Sequence, residues 1–356
     1  ASAAEAEVAS ILKRYGPETA RDAYTRAMRA LESLRALLPQ DPAVPARMAA
    51  LRKLMSEAEG GAVPAPQPAP PVERVEFASL FPALLQVYRT RPAGAVLVRN
   101  DRPEALRDLR AEIFIPRYMD YPAAGPVVPR LEPGAEARLG LAALLNEKVL
   151  DVEEDIPVQA LVTLRYSDSS GERSFELPRQ VVLYRRSALT WDDTGKLACF
   201  VTPNEDTVAR EAFRMLKSRP GAPAFSESFR RAAAICDALG ALPLAYVPDP
   251  ASSFDAASED HAMVDTVRFA RTTLAYGGGD CDDTTALLAS LLEAAGLRTA
   301  ILTTPGHVFL AFDSGEKAES AWLFAAPGFE TIASGGRLWI PLESTSLGQG
   351  FTASWK

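Results

Sequence analysis

The stretch Gly277-Gly278-Gly279-Asp280-Cys281-Asp282-Asp283 runs directly into Thr284-Thr285-Ala286-Leu287-Leu288-Ala289-Ser290-Leu291-Leu292-Glu293-Ala294-Ala295-Gly296. Leu287, Leu288, Leu291 and Leu292 recur at i, i+1, i+4 and i+5, the spacing of one apolar stripe on a helix. Gly296 ends the pattern as a C′ residue does. Asp280 and Asp283, three apart at its start, form a capping arrangement for free N–H groups. Cys281 is thereby placed in the first turn, where the partial positive charge of the helix end favours a thiolate.

The sequence after this helix predicts a strand over 298–304, a turn at Pro305-Gly306, and a second strand from His307 through Asp313. His307 thus opens a strand 26 residues after Cys281 in a chain with two histidines and three cysteines. A helix packed on such a sheet brings thiol and imidazole together, and the imidazole then takes the thiol proton. A free cysteine is more often a small buried apolar residue, and a lone histidine is more often structural. The joint context favours chemistry for Cys281 and His307. Cys199, in a strand-like run, and Cys236, in a helical one, keep the ordinary reading, and His261 lies in an acidic loop without a partner pattern.

Three segments together, Gly279-Asp280-Cys281-Asp282-Asp283, Leu291-Leu292-Glu293-Ala294-Ala295-Gly296 and Gly306-His307-Val308-Phe309, resemble the core of the transglutaminase-like cysteine enzymes, a superfamily that includes bacterial cysteine proteinases. The resemblance covers roughly residues 205–356, with sharp motifs from 277 to 345. It implies a papain-like core of helix plus antiparallel sheet, and a third catalytic acid on the strand after the histidine strand. Trp339-Ile340-Pro341-Leu342-Glu343-Ser344-Thr345 matches that setting, with Glu343 where aspartate is commoner. Geometry favours the same residue independently. Asp313 shares the His307 strand six residues on, roughly 20 Å away at about 3.3 Å per residue, too far to bond an imidazole. Glu343 closes a separate strand-like run, 337–343, that can pair beside it. Its role would be to hold the imidazole tautomer and stabilise the imidazolium.

Asp280, Asp282 and Asp283 pose an electrostatic problem, because negative charge beside a thiol raises its pKa. They can cap helix N–H groups, point to solvent, or bind a hard cation through their oxygens. Some bacterial proteinases of the resembling branch use such flanking positions for calcium, which makes Asp280 and Asp282 the candidate ligands; no other cofactor is expected. The triple glycine is no phosphate loop, since acids crowd it and no Lys-Ser/Thr follows. It reads as backbone that lets an extended peptide approach closely. The Cys281 amide is the natural oxyanion donor.

The whole chain has 356 residues, 47% of them hydrophobic, enough for two or three domains. A net charge of −8 argues against nucleic acid as a partner, and no apolar run reaches the length of a membrane span. Three unclustered cysteines give no disulfide framework. The opening Ala1-Ser2-Ala3-Ala4 suits a cleaved leader as well as a trimmed chain, and the expectation is a periplasmic or otherwise extracytoplasmic location over a cytoplasmic one. The organisation reads as multidomain α+β: a helical, bundle- or repeat-like segment over 1–59, a Pro-rich linker over 60–74, an antiparallel β-sandwich over 75–200, and the transglutaminase-like domain over 201–356. Tyr166, Tyr184 and Trp191 offer aromatic surface to a binding face or to the core of the sandwich. The helical and sandwich domains are the natural places for a protein partner.

Three functions remain open on this reading. The first is a thiol protease with a Cys281-His307-Glu343 triad acting on protein or peptide. The second is a protein transamidase of the same fold, in which an amine replaces water. The third is a catalytically silent binding or scaffold module. Hydrolysis is favoured, because water is always at hand and nothing marks an amine site.

Overall fold

The computed structural model describes residues 3–15, 17–38, 41–58, 70–217, 225–248 and 263–355. Most of the Pro-rich stretch and His261 lie outside the described residues. The chain divides into two compact units, Ala1–Pro70 and Pro71–Lys356.

The first unit holds three helices, α1 (Ala3–Tyr15), α2 (Pro17–Leu37) and α3 (Ala43–Ala58). Proline suits the first turn of α2, where its missing N–H has no partner to lose. Ala20, Ala23, Ala27 and Leu31 of α2 and Val44, Met48, Leu51 and Met55 of α3 recur at helical spacing. With Val8 of α1 they form one apolar core.

The second unit is mixed α+β, with its sheets antiparallel except for one short parallel pair. Its first part carries β1 (Val72–Phe77), β2 (Gly94–Arg99), β3 (Leu106–Phe114), β4 (Ala123–Ala124), β5 (Val128–Leu131), β6 (Glu136–Leu141), β7 (Ile156–Asp168) and β8 (Gly171–Leu183). They make a three-stranded sheet, β1-β2-β6, and a five-stranded one in the order β4-β3-β7-β8 with β5 also on β3. In β7, Ala160, Val162, Leu164 and Tyr166 face inward, and Leu161 and Arg165 between them are exposed, the period-two pattern of a strand with one buried face. The β7–β8 hairpin closes at Asp168↔Gly171, where the Asp168 carboxylate accepts from the Ser170 amide at 2.8 Å.

The inward faces of these sheets belong to a core that also takes in Cys281, Ala286 and Val308. The β-rich part and the segment bearing the cysteine are therefore packed together. Tyr166 and Trp191 are buried in that core and Tyr184 stacks on Phe81 at 4.9 Å, so these aromatics pack inward and do not form an open binding face.

Two short pairs follow: β9 (Ala188–Leu189) with β11 (Asp265–Thr266), and β10 (Ala245–Tyr246) in parallel with β12 (Gly278–Gly279). The helices α4 (Asp206–Lys217), α5 (Glu227–Gly240), α6 (Ala270–Tyr276), α7 (Cys281–Ala294) and the short α8 (Phe351–Ser354) accompany the last sheet. That sheet comprises β13 (Thr299–Thr304), β14 (His307–Lys317), β15 (Ile332–Ser334) and β16 (Arg337–Leu342) in the order β13-β14-β16-β15.

Helix α7 is the centre of this part. The leucine spacing predicts a single apolar stripe, yet every residue from Cys281 to Leu292 is buried. The reason is that α4, α5, α6, β13 and β14 and the turn Ser344–Gln349 surround it. A helix enclosed on all sides must satisfy its polar side chains internally. Ser290 does so by donating to the Ala286 carbonyl at 2.6 Å and accepting from the Thr202 amide at 2.9 Å. Gly296, at φ +81°, ends the helix, and the Leu297 amide returns to the Leu292 carbonyl at 3.0 Å.

Candidate active site

His307 begins β14 after the Pro305-Gly306 turn, and Glu343 follows directly on β16. The antiparallel register runs Leu310↔Leu342, Ala311↔Pro341 and Phe312↔Ile340. Continued by one residue, it sets Glu343 opposite Phe309, which shares a sheet face with His307. The side chains meet there, with His307 Nε2 2.7 Å from Glu343 Oε2. Glu343 Oε1 is held separately, accepting from the Thr345 amide at 2.9 Å and the Thr345 hydroxyl at 2.7 Å. Burial raises the Glu343 carboxyl, but the Thr345 hydroxyl, the Thr345 amide and His307 outweigh it, so its pKa lies below the ordinary value. The carboxylate is ionised at neutral pH and can only accept. Nε2 therefore carries a proton toward it, and in the neutral imidazole Nδ1 is the nitrogen with the lone pair.

Asp313 is occupied elsewhere. Its carboxylate takes the Arg337 guanidinium at 2.9 Å and Arg298 at 3.5 Å.

Cys281 is the first residue of α7 and only 5% exposed. Its thiol is pushed up to about 11, by burial first and by the charge of Asp280 second; the amides of Val308, Asp282 and Cys281 act against this. The favourable effect of the helix end, expected from sequence, is thus outweighed. The Val308 amide beside the sulfur belongs to the residue after His307, so the thiol lies against the start of β14. Cys236 is fully buried and its thiol is raised by burial, and Cys199 is half-buried and raised for the same reason.

The three aspartates are all buried, which removes the solvent-facing option. Asp280 is the N-cap, accepting from the Asp283 amide at 3.5 Å. Asp283 accepts from the Arg268 amide at 2.6 Å and pairs with the Arg268 guanidinium. Its pKa still rises to about 6, because burial and Asp280 exceed the help from Arg268. Asp282 has no exposed surface, and burial followed by its contact with Asp280 drives its pKa well above the ordinary value. Asp282 Oδ1 accepts from the Asp283 amide at 2.6 Å, while Oδ2 meets no N–H or O–H donor. The carboxyl of Asp280 is its neighbour, and two carboxyl oxygens bond only when one holds a proton. One oxygen from each aspartate lies within 4.8 Å of the others. This all-oxygen set with an orphaned Oδ2 fits either a shared proton or a hard cation.

The glycines serve the chain itself. A Cβ on Gly278 would lie 2.4 Å from the Ala245 carbonyl oxygen, and one on Gly279 would lie 2.5 Å from Asp283 Cβ. The close approach expected of an extended peptide is thus made by β10, with the Ala245 amide on the Gly277 carbonyl at 3.0 Å and the Val247 amide on the Gly279 carbonyl at 2.9 Å. Through this pairing β10 brings the half-exposed ring of Tyr246 to the site. Burial raises the Tyr246 phenol, and then the charges of Cys281, Asp280, Asp282 and Glu343 add to the shift. Sequence reading missed Tyr246. It stands 35 residues before Cys281, and the glycine requirement was the one signal that something packs there.

No family model and no curated protein matches this chain. Two solved structures are similar. One is a "putative protease" from Parabacteroides distasonis, 12% identical over 65% of this chain and 59% of that one. The other is a "putative cysteine protease" from Cytophaga hutchinsonii, 12% identical over 77% of this chain and 74% of that one. The TM-score is 0.24 for each. This chain spans about three-fifths of the first structure. Neither likeness decides fold or chemistry, which rest on the geometry above. No helix among the described residues is long and apolar enough to cross a membrane.

Proposed function

We propose that this protein is a thiol enzyme of the transglutaminase-like type that transfers acyl groups from polypeptide amides, acting as a cysteine protease. The carrying observation is the 2.7 Å pair of His307 with an ionised Glu343, beside a helix-first cysteine that lies against the next residue of the His307 strand. A thiol held near 11 needs a base at the moment of attack. His307 Nδ1 takes the proton as sulfur bonds to the substrate carbonyl carbon, and Glu343 stabilises the imidazolium. The imidazolium returns that proton to the departing amine as the C–N bond breaks, leaving a thioester. Water, deprotonated by His307, then releases the acid and regenerates the thiol. The Cys281 amide is free of helix bonding at this position and can meet the oxyanion. For the aspartates we propose calcium held by Asp280 and Asp282, whose charge would cancel the Asp280 field that now raises the thiol. The orphaned Asp282 Oδ2 supports this.

Peptidyl thiol-reactive probes, applied as a library to the parent and to Cys281→Ala, test the reading. Adducts on Cys281 that vanish in the variant are expected. Equal capture by both proteins, or none by either, would end it. Incorporation of a fluorescent primary amine into peptide acceptors would replace hydrolysis by transamidation.

A further inference from the structure

Three hydroxyls are buried where α7, β14 and the end of β16 meet: Thr284, Thr285 and Ser344. Thr284 Oγ1 donates to the Asp280 carbonyl at 2.6 Å. Thr285 Oγ1 lies 2.8 Å from Ser344 Oγ and 3.3 Å from the Val308 carbonyl. Ser344 Oγ also approaches Thr284 Oγ1 at 3.1 Å and the Cys281 carbonyl at 3.4 Å. Each hydroxyl has one proton. Giving Thr284's to Asp280 leaves two runs that use each remaining proton once: Ser344 donates to Thr285 and Thr285 to the Val308 carbonyl, or Thr285 donates to Ser344 and Ser344 to the Cys281 carbonyl; in both, the Thr285–Ser344 bond is the link.

We propose that Thr285 and Ser344 are positioning residues, a buried hydroxyl link that sets the thiol, the imidazole and the carboxylate in register. The proposal rests on the proposed thiol chemistry. Its ground is placement. Val308 adjoins His307, Ser344 adjoins Glu343, and Thr285 stands one helical turn beyond Cys281. One peptide unit or one turn therefore separates every candidate residue from the link. Apolar packing alone is non-directional and would hold the three elements without fixing their relative slide. Hydrogen bonds between buried hydroxyls have fixed lengths and directions, and each is costly to leave unmade. Valine at 285 and alanine at 344 would fill these positions with apolar groups, so the hydroxyls are not needed to fill space.

The test is the rate at which iodoacetamide alkylates Cys281, measured by mass spectrometry at neutral pH on the full chain, with melting temperature recorded alongside. Thr285→Val keeps the shape and loses the link. It should slow alkylation about ten-fold or more, since a displacement near 1 Å costs up to about 100-fold. Thr285→Ser restores the hydroxyl while losing the buried methyl group, and should return the rate to within about three-fold of the parent even where stability does not recover. Ser344→Ala breaks the same link from the other side and serves if Thr285→Val does not fold. Valine and serine variants that slow together with their melting temperatures, or variants that all keep the parental rate, would overturn the proposal. A parent in which Cys281 reacts no faster than Cys199 would instead remove the thiol-enzyme reading beneath it.

Discussion

Replacing Glu343 with glutamine should disable the site through the imidazole tautomer. Glu343 Oε1 accepts two hydrogens from Thr345, at 2.9 Å from its amide and 2.7 Å from its hydroxyl. The backbone amide can only donate, so in the variant the glutamine oxygen must take that place. The glutamine NH₂ is then turned toward His307 Nε2, which in the parent lies 2.7 Å from a carboxylate oxygen. Nε2 must become the acceptor and the ring proton moves to Nδ1. The nitrogen left for the thiol no longer has a lone pair. Without a base to take its proton at the moment of attack, Cys281 reacts only through the thiolate it already holds at rest, about 10⁻⁴ at pH 7 for a thiol near 11. The equivalent amide substitution in a serine-protease triad costs about 10⁴ in rate by the same tautomer argument. Alkylation of Cys281 at pH 7 should therefore fall by about 100-fold or more. Nitrogen NMR gives the second readout, and a chain with two histidines makes assignment direct. The proton should sit on Nε2 in the parent and on Nδ1 in Glu343→Gln. A variant that keeps the Nε2 tautomer, or alkylates within about three-fold of the parent, would refute the reasoning.

Cys281 should be alkylated ahead of the other cysteines at neutral pH, because Cys236 is fully buried and burial raises the Cys199 thiol with no histidine among the described residues to assist it; equal rates at Cys199 would sink the nucleophile assignment. Folding stability should fall as pH rises from 5 to 7.5. Folded Asp283 keeps its proton up to about 6 while the unfolded chain releases it near 3.8, so the folded state binds more protons in that window. The difference is worth roughly 3 kcal/mol in all, about half of it above pH 5; denaturation curves that show stability rising over the range would contradict this. Asp282→Asn mimics the protonated acid and should cost little at pH 7 while flattening the slope. Calcium at millimolar concentration should raise the melting temperature of the parent and not of Asp282→Asn, the stabilisation being about 2.7 kcal/mol at a hundred-fold excess over Kd; an unmoved parent would dismiss the cation. Gly278→Ala should displace β10 and destabilise the protein, since its Cβ would meet a backbone oxygen at 2.4 Å.

What was legible in the sequence was local. The glycines, the capping aspartates, the leucine spacing and Gly296 delimit α7 to within two residues. Pro305-Gly306 marks the turn before β14, and the strand-like run before Glu343 marks β16. These signals depend on backbone preferences of a few adjacent residues, which act before any tertiary contact forms. Even the meeting of His307 and Glu343 follows from one further step, the pairing of two strands whose ends fall side by side.

What was not legible depends on what surrounds α7. One leucine stripe is all that a local pattern can report, yet the helix is enclosed by elements from across the second unit. That enclosure reverses the electrostatics. A first-turn cysteine at a helix surface gains from the helix end, whereas the same cysteine buried beside Asp280 loses more to desolvation and like charge than it gains. The same enclosure turns Thr284 and Thr285 from indifferent helix residues into members of a buried hydroxyl cluster whose third member, Ser344, lies about sixty positions away. A hydroxyl carries no periodicity that announces its partner. Burial thus sets the thiol's resting state against reaction, and on the proposed chemistry the histidine and its acid must overcome it. That chemistry would then depend on the alignment of three elements more than on any intrinsic reactivity of Cys281.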